Sequence, residues 1–220
     1  MTNELMKVHE TIPGMEDISR EDLVIPRLQA NCKRGMFENL LTGESMAQLK
    51  GVLLCVRKGM VMFDPEMLEA KPVCKSFDRK TGTKYGNCEG CDFRKFNDAR
   101  NKVLCRATYE FLLKLEDNLP YALTISTYTS YGQAKKYLTS FVANHEPLYA
   151  YETKISMQEE KNKDGKGYYV VKFAKGDKLP EQSQADFNAI MKDFRYKEVV
   201  EEELAPVKND DFFTGDEVPA

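Results

Sequence analysis

The sequence predicts a mainly β domain with two helices, closed as a five-strand barrel that carries a large insertion. Period-two alternation of apolar and polar residues indicates paired strands at 107–128 and at 148–174. Apolar residues at helical spacing indicate one helix between these regions and another after them. A cysteine-rich stretch lies between an early apolar strand and the first hairpin, and we expect it to form the insertion.

The early strands are predicted from short apolar runs. Leu23 to Leu28 is apolar but contains Pro26, which favours an edge strand or a tether over the core. Phe37 to Leu41, followed by a Thr-Gly-Glu sequence, is typical of a strand and a turn. The long apolar run 51–63 predicts a central strand that is bent or bulged around Lys58-Gly59.

The later elements follow from turn and cap residues. A turn at 117–120 separates the strands of the first hairpin, and Thr129-Ser130 then predicts the N-cap of a helix. Asp164-Gly165 marks the turn of the second hairpin, and the segment from Pro180 to about Tyr196 predicts the final helix. A five-strand barrel with a helix between its third and fourth strands is the OB architecture. A mixed α+β sandwich fits the same pattern almost as well.

Four cysteines organise the insertion, in the pattern Cys74–x13–Cys88–x2–Cys91–x13–Cys105. Residues 75–102 contain no Val, Ile, Leu or Met, so burial of an aliphatic core cannot order them. A zinc ion held by four thiolates can order them, because it supplies folding free energy directly. We therefore predict a structural Zn²⁺ bound by these four cysteines, with Gly90 giving the Cys-x-x-Cys turn its backbone conformation.

Other states of the four thiols stay open, namely disulfides, an iron–sulfur cluster or free thiols. Disulfides rarely persist in a reducing compartment, and residues 1–17 lack the regions of a signal peptide, so we expect a cytoplasmic protein. Catalytic zinc needs an open coordination position and a nearby base, whereas the quartet would use all four positions and the chain has only His9 and His145. The chain also lacks a Gly-rich phosphate loop and a nucleophile elbow, so we do not expect an enzyme.

Charge is distributed unevenly along the 220 residues, although the net charge is only −3. Residues 198–220 hold eight acidic residues and one basic residue, which leaves 31 of the 32 basic and 27 of the 35 acidic residues for the rest. We therefore predict a flexible N-terminal arm (1–20), an OB-like domain (21–197) with the zinc insertion (74–105), and a disordered acidic tail (198–220). No apolar run is long enough for a membrane helix.

Basic residues and aromatic rings lie side by side in the insertion and in the second hairpin. Residues 75–102 contain eight basic and four acidic residues. Single-stranded nucleic acid needs this combination, because cations follow the phosphates and rings stack the exposed bases. For Phe93 and Phe96, packing around the metal is an equally good interpretation. The candidate nucleic-acid-binding residues are Arg57, Lys58, Lys84, Tyr85, Arg94, Lys95, Lys154, Tyr168 and Lys172.

The acidic tail places two rings directly after two carboxylates, in the sequence Asp210-Asp211-Phe212-Phe213. A disordered end that only improves solubility has this composition. Such a tail can also occupy the basic groove of its own protein by mimicking phosphates, and it can dock onto basic pockets of partner proteins with the two rings as apolar anchors. Asp210, Asp211, Phe212 and Phe213 are therefore the candidate partner-binding residues.

The basic β-rich body, the cysteine quartet and the acidic tail with its two rings together resemble bacteriophage single-stranded DNA-binding proteins. The resemblance is one of layout, and this tail departs from the most familiar pattern because it continues past the rings to Val218-Pro219-Ala220. It implies sequence-independent binding of single-stranded DNA in the host cytoplasm, and recruitment of replication or recombination proteins. A homo-oligomer is compatible with it. The alternative is a zinc-stabilised adaptor or inhibitor that mimics DNA through its tail.

Overall fold

The computed structural model describes residues 25–62, 72–97, 102–115, 120–126 and 128–187. The predicted N-terminal arm and acidic tail lie outside these residues, as does the final helix beyond residue 187. The described part is mainly β, as the alternation predicts. Among its helices, none is both long and apolar enough to cross a bilayer.

Most of the described residues belong to β-strands. A helix, α1 (Tyr128–Ala143), follows the eleventh strand, and residues 181–187 are the described part of a second helix. The strands are, in chain order, β1 (Arg27–Asn31), β2 (Met36–Asn39), β3 (Ser45–Met46), β4 (Gln48–Met62), β5 (Cys74–Ser76), β6 (Thr81–Gly82), β7 (Gly86–Asn87), β8 (Phe96–Asn97), β9 (Lys102–Val103), β10 (Cys105–Lys114), β11 (Pro120–Ile125), β12 (Tyr151–Lys161) and β13 (Gly167–Lys178).

Nine strands form one sheet in the order β13-β12-β4-β10-β11-β1-β2-β3, with β5 added beside β4. Its pairs are antiparallel except for β1 and β11, which run parallel. The Ala122 N–H also donates to the Pro26 carbonyl, so pairing extends to the residue before β1. The prediction of an edge strand at Leu23 to Leu28 is therefore wrong, because β1 has a partner on each side.

The long strand β4 connects the parts of the sheet. Its residues 48–52 pair with β12, residues 52–62 pair with β10, and residues 60–62 pair with β5. The register with β10 shifts between Leu112 and Leu113, which leaves Leu54 as the extra residue of a bulge. The irregularity is thus at Leu54, and the predicted position around Lys58-Gly59 is wrong.

Gly59 allows two strands to pack closely together and does not mark the bulge. A Cβ at this position would lie 2.7 Å from the Ser76 carbonyl oxygen and 2.8 Å from the Thr108 hydroxyl. The glycine therefore lets β5 approach β4 closely, which is a common reason for glycine within a strand. The bulge instead changes the side-chain alternation, since Leu53 and Val56 both pack on the main core although they are three residues apart.

The sheet is curled into a half-barrel. Helix α1 contacts β13, β10 and β11, although β13 and β11 are four positions apart in the sheet. The Tyr169 N–H of β13 donates to the Cys32 carbonyl just after β1 (3.2 Å). One end of the curled sheet, β13, therefore approaches the turn that follows β1.

The main core lies inside this curl, under α1. Large apolar side chains from seven strands meet there, and burying each contributes about 1.5–3 kcal/mol. The fully buried ones include Leu28, Phe37, Leu49, Leu53, Phe111, Leu113, Leu123, Ile125, Ile155 and Val171. A smaller cluster around Val52, Leu54 and Leu112 lies on the outer face of the sheet, and Phe187 of the second helix packs on it.

Helix α1 begins at Tyr128, so Thr129 and Ser130 lie within its first turn. Ser130 is buried, and its hydroxyl accepts a hydrogen bond from the Val171 N–H (3.0 Å). The predicted N-cap at these two residues is therefore wrong, because this hydroxyl joins the helix to β13.

The predicted inward face of α1 is confirmed. Tyr137 and Phe141 are buried in the core, while Lys135 and Lys136 are exposed. The Tyr137 hydroxyl also forms a buried hydrogen bond with the Thr153 hydroxyl of β12 (2.7 Å). Burial is the largest cause that raises the pKa of Tyr137, and this phenol therefore stays protonated.

The second hairpin is also confirmed, with its turn at Asp164-Gly165. Gly165 adopts a φ of 78°, which favours glycine, and Asn162 Oδ1 accepts from the Asp164 and Lys166 N–H groups. The first strand begins three residues later than predicted, because 148–150 form a 3₁₀ turn.

Candidate functional site

Cys74 and Cys105 lie at the base of the cysteine loop, which we define as residues 74–105. Met62, the last residue of β4, pairs with Cys74 on one side and with Cys105 on the other. Both cysteines are buried, and with Met60 and Met62 they form a small core of their own. These two cysteines therefore close the base of the loop, as the sequence predicts.

Cys88 and Cys91 form a tight turn farther along the loop. The Cys91 N–H donates to the Cys88 carbonyl (3.4 Å), and a 3₁₀ helix follows at Asp92–Arg94. From this helix, Arg94 Nη1 donates back to the same carbonyl (2.8 Å). The Cys88 N–H donates to the Lys80 carbonyl, so the turn is also connected to the strand pair β6–β7.

All four cysteines of the quartet line one cavity of about 10 Å³. None of these four forms a disulfide; Cys91 is half-buried and the other three are buried. A cavity of this size has room for about one water-sized atom. These thiols are the residues that could hold a metal, since four thiolates are a typical donor set for zinc. In the described ranges, no group of three or more His, Cys, Asp or Glu side chains is arranged to hold an ion.

Gly82 of β6 packs directly against two of these sulfur atoms. A Cβ there would lie 2.9 Å from Cys74 Sγ and 3.5 Å from Cys88 Sγ, so a larger residue would displace them. Gly90 has open space around it and no positive φ. The prediction that Gly90 supplies a special backbone conformation is therefore wrong, and close packing at Gly82 is the stronger constraint.

The four sulfur atoms interact electrostatically. Burial raises the pKa of the Cys105 thiol to about 11, and the neighbouring Cys91, Cys88 and Cys74 raise it as well. The positive charge of Arg94 acts in the opposite direction. The quartet is thus one cluster of mutually interacting groups.

A cleft of about 60 Å³ lies on the outer face of the sheet, where the start of the cysteine loop meets β4, β10 and β11. Glu110 of β10 pairs with Arg57 of β4 and with Thr124 of β11, and all three alternate with core residues. We call this feature the outer-face cleft. Its polar and aromatic lining comprises Arg27, Arg57, Lys75, Ser76, Phe77, Thr108, Glu110 and Thr124.

Ion pairs organise the outer-face cleft. Glu110 accepts from Arg57 Nε and lies 3.7 Å from Arg27 Nη2, and its side chain is only 14% exposed. The Arg57 guanidinium carbon lies 4.5 Å from the centre of the Phe77 ring, a cation–π distance. Arg57 Nη2 is buried and has no hydrogen-bond partner among the described residues. Phe77 itself is 41% exposed.

Of the two candidates on β4, only Arg57 lines this cleft. Neighbouring residues of a strand point to opposite faces, so Lys58 points the other way. Lys58 is exposed, and its charge contributes to lowering the pKa of Tyr131 on α1. The structure therefore separates two residues that the sequence analysis had grouped.

The candidates in the cysteine loop have different surroundings. Lys84 Nζ lies 5.5 Å from the centre of the Tyr85 ring, which is 41% exposed and also contacts Phe93. Phe93 packs on the small methionine and cysteine core, whereas Phe96 is 57% exposed. Packing around the cysteines thus applies to Phe93 but not to Phe96.

Arg94 and Lys95 take part in local interactions. Arg94 donates to the Cys88 carbonyl, so its guanidinium holds the cysteine turn. Lys95 is exposed and pairs with the exposed Asp92 at 2.6 Å. Exposed pairs of this kind exchange readily with other ions.

The candidates in the second hairpin lie on its outer face, opposite the core residues Ile155 and Val171. Tyr168 and Lys172 both donate to the Glu160 carboxylate, and the Lys172 bond is the largest cause that lowers the pKa of Glu160. Lys154 is exposed. None of the three lines the outer-face cleft. The candidate partner-binding residues Asp210, Asp211, Phe212 and Phe213 lie outside the described residues.

Comparison with protein-family models, curated proteins and solved structures finds no match for this chain. Its function must therefore be inferred from the cysteine cavity and the outer-face cleft. The cavity has room for about one atom, which suits a structural role, whereas the cleft adjoins an exposed ring.

Four charged or aromatic residues of the cleft were missed by the sequence analysis, namely Arg27, Lys75, Phe77 and Glu110. Arg27 follows Pro26 in the run assigned to an edge strand or a tether, and Glu110 is one of many scattered acidic residues. Lys75 and Phe77 belong to the basic and aromatic residues of the insertion but were not selected as candidates. The sequence pattern that could have identified Glu110 is the alternation in β10, in which Thr108 and Glu110 alternate with buried Tyr109 and Phe111.

Proposed function

We propose that this protein binds single-stranded DNA without strong sequence preference, and that it acts in DNA replication or recombination like the bacteriophage proteins that its layout resembles. The outer-face cleft carries the proposal, because two arginines and an exposed ring meet there on the sheet. Cations and exposed rings are the two groups that single-stranded nucleic acid requires.

The strand connectivity supports an OB barrel as the scaffold. β4, β10 and β11 are successive antiparallel neighbours, α1 follows, and β12 and β13 then form a hairpin that pairs with β4. This is the order of the five OB strands. β1 to β3 are additions, and the hydrogen bond from Tyr169 to Cys32 lies where β13 would close the barrel through the end of β1.

The correspondence with the OB strands also indicates where a nucleic acid would bind. OB folds bind oligonucleotides on the face of strands 2 and 3, and with the loops between strands 1 and 2 and between strands 4 and 5. Those strands correspond here to β10 and β11, which contribute Glu110 and Thr124 to the cleft. The first loop contains the cysteine loop, and the second is the hairpin tip at 162–166 with Lys163 and Lys166. A single strand on the cleft would thus have basic residues on both sides.

We also propose that Cys74, Cys88, Cys91 and Cys105 hold a structural Zn²⁺. The fit rests on the common cavity, on its one-atom size, and on Gly82, whose missing side chain leaves space for the sulfur atoms of Cys74 and Cys88. The ion would draw the loop ends together and supply folding free energy to a segment that lacks aliphatic residues. The chain then holds the loop against β4 and β10.

Elemental analysis of protein prepared without chelator tests the metal. We expect about one zinc per chain in the native protein. The double variant Cys88→Ser and Cys91→Ser should lose it, while Cys32→Ser, which changes a half-buried cysteine outside the quartet, should keep it. Metal-free native protein, or unchanged zinc in the double variant, contradicts the zinc proposal.

Fluorescence anisotropy with labelled oligonucleotides tests the DNA proposal. Short single-stranded and duplex DNA are titrated with the protein at two salt concentrations. We expect tight binding that favours the single strand and weakens steeply with salt, because lysines and arginines release counterions from the phosphates. Equal binding to both forms, or no binding to either, contradicts the proposal.

We propose a regulatory and recruiting role for the acidic tail on the basis of its sequence. Asp210 and Asp211 would compete with DNA for basic residues, and Phe212 and Phe213 would anchor partner proteins. Deletion of residues 201–220 should leave single-strand binding equal or stronger. Loss of all activity on deletion would instead support the alternative of a protein that mimics DNA through its tail.

A further inference from the structure

The outer-face cleft combines groups that would recognise two different parts of one nucleotide. We infer that it holds a single nucleotide unit of the bound strand, with the base stacked on Phe77 and the adjoining phosphate bound by Arg57 and Arg27 in exchange for Glu110. This inference rests on the proposed function and adds to it a specific subsite, of whose residues the sequence analysis selected only Arg57.

Phe77 is placed to stack a base. It is one of the exposed large hydrophobic residues of the described chain, at 41%, so part of its ring is accessible to a ligand. Arg57 lies 4.5 Å from the ring centre and so fixes the ring against the sheet. A fixed ring loses little conformational entropy when a base stacks on its exposed surface.

The charges of the cleft suit an anion. Three basic residues, Arg27, Arg57 and Lys75, and one acidic residue, Glu110, line it. Arg57 Nη2 is a buried donor without a partner among the described residues, and such donors are costly. A phosphate oxygen that reaches this nitrogen would remove that cost.

The cleft is large enough for the phosphate of a nucleotide but not for its base. A site needs roughly 10–15 Å³ to hold one water, so the cleft of about 60 Å³ has room for a few oxygen atoms, as in a phosphate group. A whole nucleobase is larger, and it must therefore lie outside the cleft, where the Phe77 ring is exposed.

Glu110 acts as the built-in counter-ion of the empty cleft. Its carboxylate pairs with both arginines and is mostly buried, so the two guanidinium groups are held ready beside the ring. A phosphate offers arginine the same charged acceptor oxygens as a carboxylate. The arginines can thus change from one anion to the other without being left unpaired.

Tryptophan fluorescence tests the stacking, because the chain contains no tryptophan. Phe77→Trp gives a protein with one tryptophan at the proposed site, and Val142→Trp gives a control at an exposed position of α1 that does not line the cleft. Each is titrated with oligo(dT) and with an abasic oligonucleotide of equal length and charge. We expect oligo(dT) to quench the Phe77→Trp emission strongly, the abasic strand to leave it almost unchanged, and both to affect Val142→Trp little.

Affinities provide the second readout, with Phe77→Leu keeping the site apolar. We expect this variant to bind oligo(dT) roughly 5- to 150-fold more weakly than the native protein, the range measured for one stacked base, and to bind the abasic strand within about twofold of it. Native affinity for oligo(dT), or equal losses on both strands, overturns the subsite while leaving single-strand binding intact. Failure of the native protein to bind either strand overturns both proposals.

Discussion

Arg79 reaches out of the cysteine loop and donates from Nη2 to the Tyr131 hydroxyl of α1 over 2.9 Å. The same guanidinium donates to the carbonyls of Gly59 on β4 and Thr108 on β10. Residues 75–102 of the loop contain no Val, Ile, Leu or Met that could pack on the sheet. Arg79 therefore supplies by hydrogen bonds the attachment that hydrophobic burial would supply elsewhere.

The Arg79 contacts predict a specific loss of stability. Arg79→Gln should lower the free energy of unfolding by about 1–3 kcal/mol, since two backbone carbonyls and a phenol lose a charged donor. Lys80→Gln removes the same charge from an exposed neighbour and should change it by less than about 0.5 kcal/mol. Urea denaturation of both variants measures the difference. Equal effects would mean that the guanidinium contacts contribute nothing beyond their charge.

Packing at Gly82 predicts a selective effect on the metal site. Gly82→Ala places a methyl group 2.9 Å from the unshifted position of Cys74 Sγ, so the sulfur must move. We expect zinc affinity to fall by about tenfold or more, as for other residues that position metal ligands. Gly90→Ala is the matched control, because nothing lies within 4 Å of that position. Competition with a chromophoric chelator measures both, and equal affinities would contradict the role of Gly82.

The hydrogen bond between Tyr137 and Thr153 predicts a non-additive pair of substitutions. Both groups are buried, so Tyr137→Phe or Thr153→Val alone leaves one hydroxyl without its partner and should cost about 1–3 kcal/mol. The double variant removes both polar groups and should cost less than the sum of the two. Thermal unfolding of the four proteins measures the coupling, and simple additivity would show that the bond contributes no coupling energy.

Elements that depend on local signals were predictable from the sequence. Neighbouring residues alone determine which face of β10 and β11 is buried, and they also determine the turn at Asp164-Gly165. Both features can therefore be read from a short stretch of sequence. The parallel pairing of β1 with β11 was not predictable in this way. It joins residues nearly a hundred positions apart, and Pro26 suggested an edge when its carbonyl in fact accepts from Ala122.

The candidate site was likewise predictable only in part. The cysteine quartet was visible as a spacing, and its four members do line one cavity. The outer-face cleft was only partly visible, because Arg57, Glu110 and Arg27 come from three strands whose order in the sheet had to be known first. Ser130 was misread as a cap for a similar reason, since its partner Val171 lies 41 residues away.

Glu146 predicts how stability changes in acid. Hydrogen bonds from Lys175, the larger cause, and from Tyr151 lower the pKa of this carboxyl below its ordinary value of 4.5. In the unfolded chain Glu146 therefore binds its proton at a higher pH than in the folded protein. The contribution of Glu146 to the free energy of unfolding is complete above about pH 4.5, and it is lost as the pH falls through the lower pKa of the folded state. Glu146→Gln should flatten the acid limb of a plot of unfolding free energy against pH. Glu44→Gln, at an exposed turn, is the control, and the same acid limb in Glu146→Gln and the native protein would contradict this contribution.

Glu110 predicts that one acidic residue restrains DNA binding. Glu110→Gln removes the carboxylate that pairs with Arg57 and Arg27, so the competition of this carboxylate with phosphates is lost. We expect tighter binding to oligo(dT) at low salt, and a plot of log affinity against log salt that is steeper by about 0.7 for each additional phosphate that the arginines neutralise. Glu146→Gln removes an equal charge beside Lys175, away from the cleft lining, and should leave the slope unchanged. Weaker binding by Glu110→Gln would mean that Glu110 orients the arginines for the strand, because a carboxylate that only competes with phosphate cannot strengthen binding.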